Sequence, residues 1–375
     1  MDFFWTSLRK DLSLADRILF FCALMLSLWG VFCIYSAASG TAGRGFDFAF
    51  RQTAWLVFSF FMMILVMFIG HRKLLENAYA LFGLALLLLL LTDLLAPKVN
   101  GAQSWLGFGS VRFQPSEFAK VSIILVLSKF LSRYPPLDLK TFFAALGIIF
   151  LPVLLVLLQP DAGSALVYLV ISFIMLFTAG TPLKYLGTII GLGLSAIPFL
   201  IIFVLKEYQK NRLLVFLDPM RDPLGAGYNV IQSKIAVGSG EITGKGFMLG
   251  TQSKLKFLPE PHTDFIFSVF SEEFGFTGNM ILIFLFTVLL FRIIFIGISS
   301  KDRRCKILVS GVAAWLWFQM LESIGMSIGL LPVTGLPLPF LSYGGSSLLS
   351  IFISLGIVAS VYIEEEAGNV QFQRI

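Results

Sequence analysis

The sequence predicts an all-α integral membrane protein with about ten transmembrane helices and one large extracytoplasmic loop between helices seven and eight. Of the 375 residues, 57% are hydrophobic and only 13% are charged, whereas soluble domains carry about 25% charged residues. Several apolar runs reach the ~20 residues that a helix needs to cross ~30 Å of hydrocarbon. We therefore expect a single polytopic membrane domain over residues 1–375.

The apolar runs divide the chain into ten expected helices, which are separated by short links except at one place. The expected helices cover residues 17–37, 48–69, 76–96, 115–132, 140–159, 162–180, 183–206, 264–297, 304–330 and 343–363. The long link at 207–263 is rich in Gly, Pro and polar residues. A structureless loop of this length is uncommon, so we expect this link to be folded and functional.

Lysine and arginine residues orient the helices. They recur in alternate short links, such as Arg72 and Lys73 after the second helix and Arg303 and Arg304 after the eighth. The positive-inside rule places these links in the cytoplasm. Both termini are then cytoplasmic and 207–263 lies outside the cytoplasmic membrane. These helix-end clusters account for the net charge of +6, which therefore does not indicate nucleic-acid binding.

The stretch from Lys256 to Gly278 joins the long polar link to a strongly apolar helix. We expect Thr263 to cap this helix and Asp264 to lie in its first turn. The Asp264 carboxylate has two interpretations at this point. It either supports the helix N-terminus through the macrodipole, or it is a reactive group facing a cavity at the membrane boundary.

Charged residues also enter the fourth helix. Pro115 suits its first turn, and Glu117 and Lys120 follow at a spacing that places them on one helical face. The two side chains either neutralise each other or serve a function, and pairing excludes neither interpretation. In the link before the sixth helix, Asp161 follows Pro160 and is able to hydrogen-bond the turn backbone.

Two further features lie near the same predicted membrane face. Arg212 and Arg221, beyond the seventh helix, are candidates for binding phosphate, although lone arginines are more often solvated. Prolines and glycines interrupt the apolar run at 329–350. Irregular backbone at membrane depth is tolerated only where protein or a cavity covers it, so this stretch lines a cavity or packs tightly.

Several classes of site are excluded by the sequence. The two histidines lie far apart, and we find neither a metal-binding signature, a P-loop, a dinucleotide fingerprint nor a nucleophile–base pair. A carboxylate-lined site near the outer face remains, with cations nearby and apolar surroundings. That pattern indicates chemistry on, or transport of, a lipid-linked anionic substrate.

Six motifs taken together resemble the SEDS family (shape, elongation, division and sporulation). They are QPSEFAK, QPDAGSAL, DPLGAGYNVIQSKIAVGSG, the GKG…GTQ pair, FLPEPHTDFIFSVFSEEFGF and LLPVTGLPLPFLSYGGSSLLS. The stretches GTQSKLKFLPE and GLPLPFLSYGG are more similar to the RodA branch than to FtsW. The resemblance extends over nearly the whole chain, and the combination of motifs is far more specific than any one of them.

The resemblance implies a peptidoglycan glycosyltransferase that polymerises lipid II for cell elongation and rod shape. It implies a class B penicillin-binding protein as transpeptidase partner, together with other membrane proteins of the elongation complex. It also implies site residues, with Asp264 as the essential carboxylate. The other positions that match the family's cavity are Glu117, Lys120, Asp161, Arg112 and Arg212.

Three positions depart from the family pattern, and they bear on the fine detail of the substrate groove rather than on the fold. Ser104 stands before Trp105, where arginine is frequent, and Glu241 stands where glycines are frequent. Ser323 follows Glu322 at a position that is often Asn.

The implied reaction needs a base for the acceptor hydroxyl and positive charge near the leaving phosphates. We expect Asp264 to be the base, and Lys120, Arg112 and Arg212 to contact phosphate. A divalent cation such as Mg²⁺ or Mn²⁺, held by acidic groups, is a further candidate for that role. Two alternatives are a lipid II flippase, since ten helices with intramembrane charges also suit transport, and a non-catalytic scaffold for the transpeptidase.

Overall fold

The computed structural model describes residues 16–39, 44–97, 104–108, 111–199, 210, 214–223, 225–255 and 257–372. Its helices are α1 Arg17–Ser39, α2 Gly45–Ile69, α3 His71–Glu76, α4 Ala78–Leu95, α5 Pro115–Arg133, α6 Leu139–Leu158, α7 Ala162–Thr178, α8 Leu183–Phe199, α9 Ala226–Ser239, α10 Thr251–Lys254, α11 Ile266–Ser299, α12 Arg303–Ile328 and α13 Gly345–Phe372. Two short antiparallel strands, β1 Leu106–Phe108 and β2 Val111–Phe113, precede α5.

A helix overlaps each of the ten predicted ranges. Among the described residues, seven helices are long and apolar enough to cross a membrane, namely α1, α2, α4, α6, α11, α12 and α13. Helices α7 and α8 are apolar but shorter, and α5 carries several charged side chains. The protein is therefore a multi-pass membrane protein, and the number of ten crossings stays a prediction.

The bundle buries its polar side chains and turns large apolar ones outward. Helices α5 and α7 pack against each other and against α12, α11 packs against α12, and α13 lies along α2. Leu84, Phe143, Phe150, Phe284 and Phe295 are all exposed on helices of this outer surface. This distribution is what hydrocarbon surroundings demand, because lipid tails solvate apolar side chains while buried polar groups find partners inside the protein.

The links that carry basic residues meet at one end of the bundle. Lys129, at the end of α5, donates to the Glu76 carbonyl at 2.6 Å. Ser128 donates to the Arg304 carbonyl at 2.6 Å, and Arg303 donates to the Ala179 carbonyl, in the link after α7, at 2.6 Å. These contacts place the ends of α3, α5, α7 and the start of α12 on the same side, as the alternation of basic residues requires.

Helix α11 is broken at Gly275, which has φ 64° and ψ −163°. This region of backbone space is open almost only to glycine. The backbone N–H groups of Lys245 and Gly246 donate to the carbonyls of Glu272 and Glu273 at 3.0 Å. The long link thus satisfies carbonyl groups beside the break, which is how irregular backbone is tolerated at membrane depth.

The described part of the long link is folded, as expected. Helix α9 packs on both α11 and α12, where the Ser233 hydroxyl lies 2.6 Å from the Ser268 hydroxyl and donates to the Ser327 carbonyl at 2.6 Å. The Glu272 carboxylate accepts from Lys245 Nζ at 2.6 Å and from the Thr251 backbone N–H at 2.8 Å. Glu272 therefore ties the link, including the first turn of α10, to α11.

The predicted start of α11 is wrong by two residues. The helix begins at Ile266, and its N-cap residue is Phe265, with no side-chain capping bond. Thr263 instead lies in a turn, where its N–H donates to the Glu260 carbonyl at 3.3 Å. Asp264 therefore precedes the helix, and the capping interpretation of Thr263 does not hold.

Candidate active site

The interrupted apolar stretch forms an irregular segment between α12 and α13, which we call the central loop (residues 329–344). Gln319 Nε2, on α12, donates to the Pro337 carbonyl at 2.7 Å. The Tyr343 N–H donates to the His262 carbonyl at 2.9 Å. The central loop is thus held between α12 and the turn that leads into α11, and protein covers its irregular backbone as predicted.

Asp264 is half-buried and faces the central loop. A Cβ atom built on Gly335 would lie 3.5 Å from Asp264 Oδ2. Gly335 itself has φ 76°, a conformation that favours glycine. The carboxylate therefore lies beside a stretch of backbone that carries no side chain, and it retains exposure on its remaining side.

Glu322 places a second carboxylate next to this loop. Its side chain is 2% exposed within α12, and the Thr334 hydroxyl donates to Oε1. Oε2 has no hydrogen-bond partner among the described residues. The charge of Asp264 acts on Glu322 electrostatically. Sequence reasoning missed Glu322, which entered only as the neighbour of Ser323, although a carboxylate within an apolar membrane helix is itself a signal of function.

Glu117 and Lys120 form a fully buried ion pair. Lys120 Nζ lies 2.6 Å from Glu117 Oε1, and the side chains are 0% and 1% exposed respectively. Ser350 donates to Glu117 Oε2 at 3.3 Å, and Lys120 Nζ lies 5.0 Å from the centre of the Trp315 ring. The pair is therefore present as the spacing predicts, with its charges compensated, and a contact with substrate stays a prediction.

Gln319 connects this ion pair to the central loop. Its Oε1 accepts from Lys120 Nζ at 3.2 Å and from Trp315 Nε1 at 2.6 Å. Its Nε2 is the group that donates to the Pro337 carbonyl. Since each of these bonds is buried or partly buried, the pair helps to fix the loop that faces Asp264.

Asp161 caps helix α7. Its Oδ1 accepts from the Ser164 N–H at 3.0 Å and its Oδ2 from the Ser164 hydroxyl at 2.8 Å. Burial raises the pKa of Asp161, while these two hydrogen bonds and the charge of Lys120 act in the opposite direction. A Cβ on Gly163 would lie 3.2 Å from the Thr334 carbonyl, so this helix end also meets the central loop.

The predicted phosphate-binding arginines are placed only in part. Arg112 lies in β2, opposite Gly107 in β1, and its side chain is outside the described structure. Arg212 falls outside the described residues. Arg221 lies in a short 3₁₀ helix at Pro219–Arg221 and is exposed.

Among the residues that the structure describes, no group of three or more His, Cys, Asp or Glu side chains is arranged to hold a metal ion. Asp264 is close enough to Glu322 for its charge to act on that carboxylate. The predicted Mg²⁺ or Mn²⁺ therefore stays a prediction.

The central loop gathers the predicted carboxylates around one segment. Asp264 lies against Gly335, and Glu322 accepts from Thr334. Asp161 caps the helix whose first turn touches the same loop, and the pair on α5 reaches it through Gln319. Asp161 and Asp264 are both partly exposed, and Asp161 is held as the cap of α7. Asp264, beside buried or charge-compensated neighbours, suits proton abstraction from a bound hydroxyl.

Known proteins are similar to this chain in both sequence and fold. The FTSW_RODA_SPOVE family model, described as cell cycle protein, matches residues 16–367. The chain is 38% identical to peptidoglycan glycosyltransferase MrdB of Escherichia coli (strain K12) over 349 residues, which cover 92% of this chain and 93% of that protein. It is 33% identical to peptidoglycan glycosyltransferase RodA of Treponema pallidum (strain Nichols) over 420 residues, covering 92% and 97%.

Two solved structures are similar throughout. A chain from a peptidoglycan synthase complex, solved to show how polymerization and crosslinking are coordinated, matches with a TM-score of 0.81 and 34% identity, covering 94% of this chain and 98% of that chain. The crystal structure of Thermus thermophilus rod shape determining protein RodA matches with a TM-score of 0.70 and 31% identity, covering 93% and 96%. The resemblance drawn from the motifs is confirmed, and the chain belongs to the FtsW, RodA and SpoVE family of cell cycle proteins.

Proposed function

We propose that this peptidoglycan glycosyltransferase polymerises lipid II for cell elongation, with Asp264 as the general base. One observation carries the assignment of the base. Asp264 is half-buried beside the bare backbone of Gly335, whereas Glu117 and Glu322 are at most 2% exposed. Asp161 is also partly exposed, but both of its oxygens accept from Ser164 and cap α7. Asp264 is therefore the carboxylate best placed to meet a substrate beside the central loop.

In the proposed reaction, Asp264 takes the proton from an acceptor sugar hydroxyl. The hydroxyl oxygen forms a bond to the anomeric carbon of the donor sugar, while the bond from that carbon to the pyrophosphate oxygen breaks. The polyprenyl pyrophosphate leaves with the electron pair. Base catalysis of this kind contributes about 10²–10⁴-fold to the rate.

The buried ion pair supports this chemistry indirectly. Because Lys120 is enclosed and bonded to Glu117 and Gln319, we propose that it holds the central loop in position. Its contact with phosphate stays a prediction. Arg112 and Arg212 remain the proposed phosphate contacts. A divalent cation held by acidic groups would supply further positive charge near the phosphates.

The test of the base is Asp264→Asn. The amide is nearly isosteric but does not accept the proton of the acceptor. Purified variant and lipid II are incubated, and glycan products are resolved on a gel. We expect the variant to fold and to lose polymerisation by about 10²–10⁴-fold. The matched control is Glu260→Gln, which removes an exposed carboxylate from the same turn. Polymerisation by Asp264→Asn within a few-fold of wild type would remove Asp264 from the mechanism.

We also propose a class B penicillin-binding protein as partner, which docks its membrane helix in a groove between α11 and α12. The groove encloses about 420 Å³. Its lining is apolar and includes Ile283, Met320, Leu321, Ile324, Gly325, Ile328, Leu330 and Leu331. The concave apolar lining suits the close packing that helix association in a membrane requires. The similarity to a chain of a peptidoglycan synthase complex supports this proposal.

Transport of lipid II, the alternative function, receives less support. The site carboxylates meet at one loop near the start of α11 and the end of α12. Secondary transporters instead place their sites near the bilayer midplane, between repeats of the fold. We therefore propose that the protein polymerises glycan strands at the outer face of the cytoplasmic membrane.

A further inference from the structure

A cavity of about 390 Å³ lies at the end of the bundle opposite the central loop. It is lined by Arg72, Leu75, Glu76, Lys129 and Arg304. We propose that this basic cavity binds the phosphate headgroup of an anionic phospholipid. The inference is independent of the proposed glycosyltransferase mechanism, because it concerns different residues and a different end of the protein.

Three cations reach the basic cavity from three separate helices. Arg72 comes from α3, Lys129 from α5 and Arg304 from α12. One carboxylate, Glu76, also lines the cavity and opposes an anion there. Glu364 and Asp302, which pair with Arg72 and Arg304, do not line the cavity. The lining itself carries three cations and one carboxylate, and arginine presents two donors in the geometry that phosphate oxygens match.

The existing partners of these cations leave donors for a ligand. Arg72 pairs with Glu364, and Arg304 lies 2.7 Å from Asp302. The Arg72 and Arg304 side chains are 67% and 51% exposed, and ion pairs with such exposure are weak. Lys129 Nζ donates to a backbone carbonyl, that of Glu76. That bond does not neutralise the charge of Lys129, and a lysine ammonium has three donors.

The surroundings favour a lipid over a soluble phosphate. Leu75 gives the basic cavity an apolar wall. Lys129 Nζ lies 4.9 Å from the centre of the Tyr79 ring, which is itself 49% exposed on α4. Leu87 and Leu90 continue an exposed apolar surface along the same helix. A headgroup in the cavity would therefore leave its acyl chains lying along α4, and basic pockets between helix ends on this side of a membrane suit anionic headgroups.

The test compares a cavity variant with a charge-matched control. The cavity variant is R72Q/K129Q/R304Q. The control, K140Q/K184Q/K306Q, removes three exposed lysines from the same predicted face that do not line the cavity. Each protein is placed in nanodiscs of phosphatidylglycerol and phosphatidylcholine, released, and analysed for retained lipid by native mass spectrometry. Each lost cation is expected to weaken headgroup binding about fivefold, which gives about 100-fold for three.

We expect wild type and control to retain phosphatidylglycerol in preference to phosphatidylcholine, and the cavity variant to lose that preference. An equal preference in all three proteins would overturn the proposal. Inorganic phosphate is added in a second arm, and displacement of the lipid at phosphate concentrations equal to those of the lipid would assign the site to a soluble phosphate instead. If the triple variant does not fold, Arg72→Gln alone is compared with Lys184→Gln, and an unchanged preference overturns the proposal equally.

Discussion

At the scale of single residues, charges inside the bundle are held by specific partners. Glu117 and Lys120 compensate each other within 2.6 Å at nearly zero exposure. Gln319 satisfies a further ammonium donor of Lys120. Isolated charges at such burial are very costly, and the attraction within a pair offsets that cost only when the geometry is good and hydrogen bonds complete it.

The ion pair predicts strong coupling between its members. Glu117→Gln and Lys120→Met should each destabilise the protein by about 3–5 kcal/mol, because each leaves an uncompensated buried charge. The double variant should be less destabilised than the sum of the two single changes. Thermal unfolding in detergent and lipid II polymerisation provide the two measurements. Strict additivity of the two effects would argue against a direct pair.

Local spacing was sufficient to predict this pair, since residues three apart on a helix are neighbours. The approach of Asp264 to Glu322 was not predictable in this way. The two residues belong to different helical regions, and they are brought together by Thr334 and Gly335 of the central loop.

The predicted capping role of Thr263 was wrong for a related reason. Ser342 donates to the Thr263 carbonyl at 2.7 Å, so a distant loop helps to hold a turn where local sequence favoured a helix.

At the scale of elements, the break in α11 is maintained by the long link. The sequence predicted one continuous helix over 264–297, because a single glycine in an apolar run does not by itself specify a break. Gly240 and Gly244 make the break possible, since their backbones approach α11 closely. A Cβ on Gly240 would lie 2.0 Å from the Ser271 carbonyl oxygen, and the Gly244 N atom lies 2.3 Å from a Cβ built on Gly275.

Gly275→Ala should therefore destabilise the protein. The alanine side chain would meet the Gly244 backbone, and the backbone conformation of Gly275 itself costs about 1–3 kcal/mol for other residues. Detachment of the long link from α11 should also reduce polymerisation. The matched control is Gly147→Ala in α6, where nothing lies within 4 Å of an added Cβ, and which should be neutral or slightly stabilising. Equal melting temperatures for both variants would show that the break is not required.

At the scale of the whole molecule, the structure supports the predicted alternation of links, because the basic links contact one another at one end. We expect that end to be cytoplasmic and the long link to be extracytoplasmic. Cysteine labelling provides the test, since Cys22, Cys33 and Cys305 are all buried and give little background. Ile242→Cys, at a 68% exposed position in the long link, should react with a membrane-impermeant reagent from outside. Lys306→Cys should react only after the membrane is opened, and the reverse pattern would invert the topology.

The docking site of the partner is also a property of the whole molecule. It depends on which part of the outer surface is apolar, grooved and open to lipid. Most of the outer helix surface is apolar, so hydrophobicity alone does not select a docking site. The groove between α11 and α12 differs in its concave shape. In a membrane, helix association depends on close packing more than on hydrophobicity, so a concave surface is preferred.

Disulfide trapping tests this docking site directly. Leu321 lines the groove and is 40% exposed, so Leu321→Cys should form a crosslink with one of a series of cysteines along the transpeptidase's membrane helix. Phe61→Cys, on α2 and 60% exposed, is the control on a different outer surface and should not crosslink. Trapping at a regular helical interval along the partner helix would identify a packed interface, because one face of a helix recurs every three to four residues. Crosslinks that form only with α1, α2 or α4 would place the partner elsewhere and leave the groove to lipid.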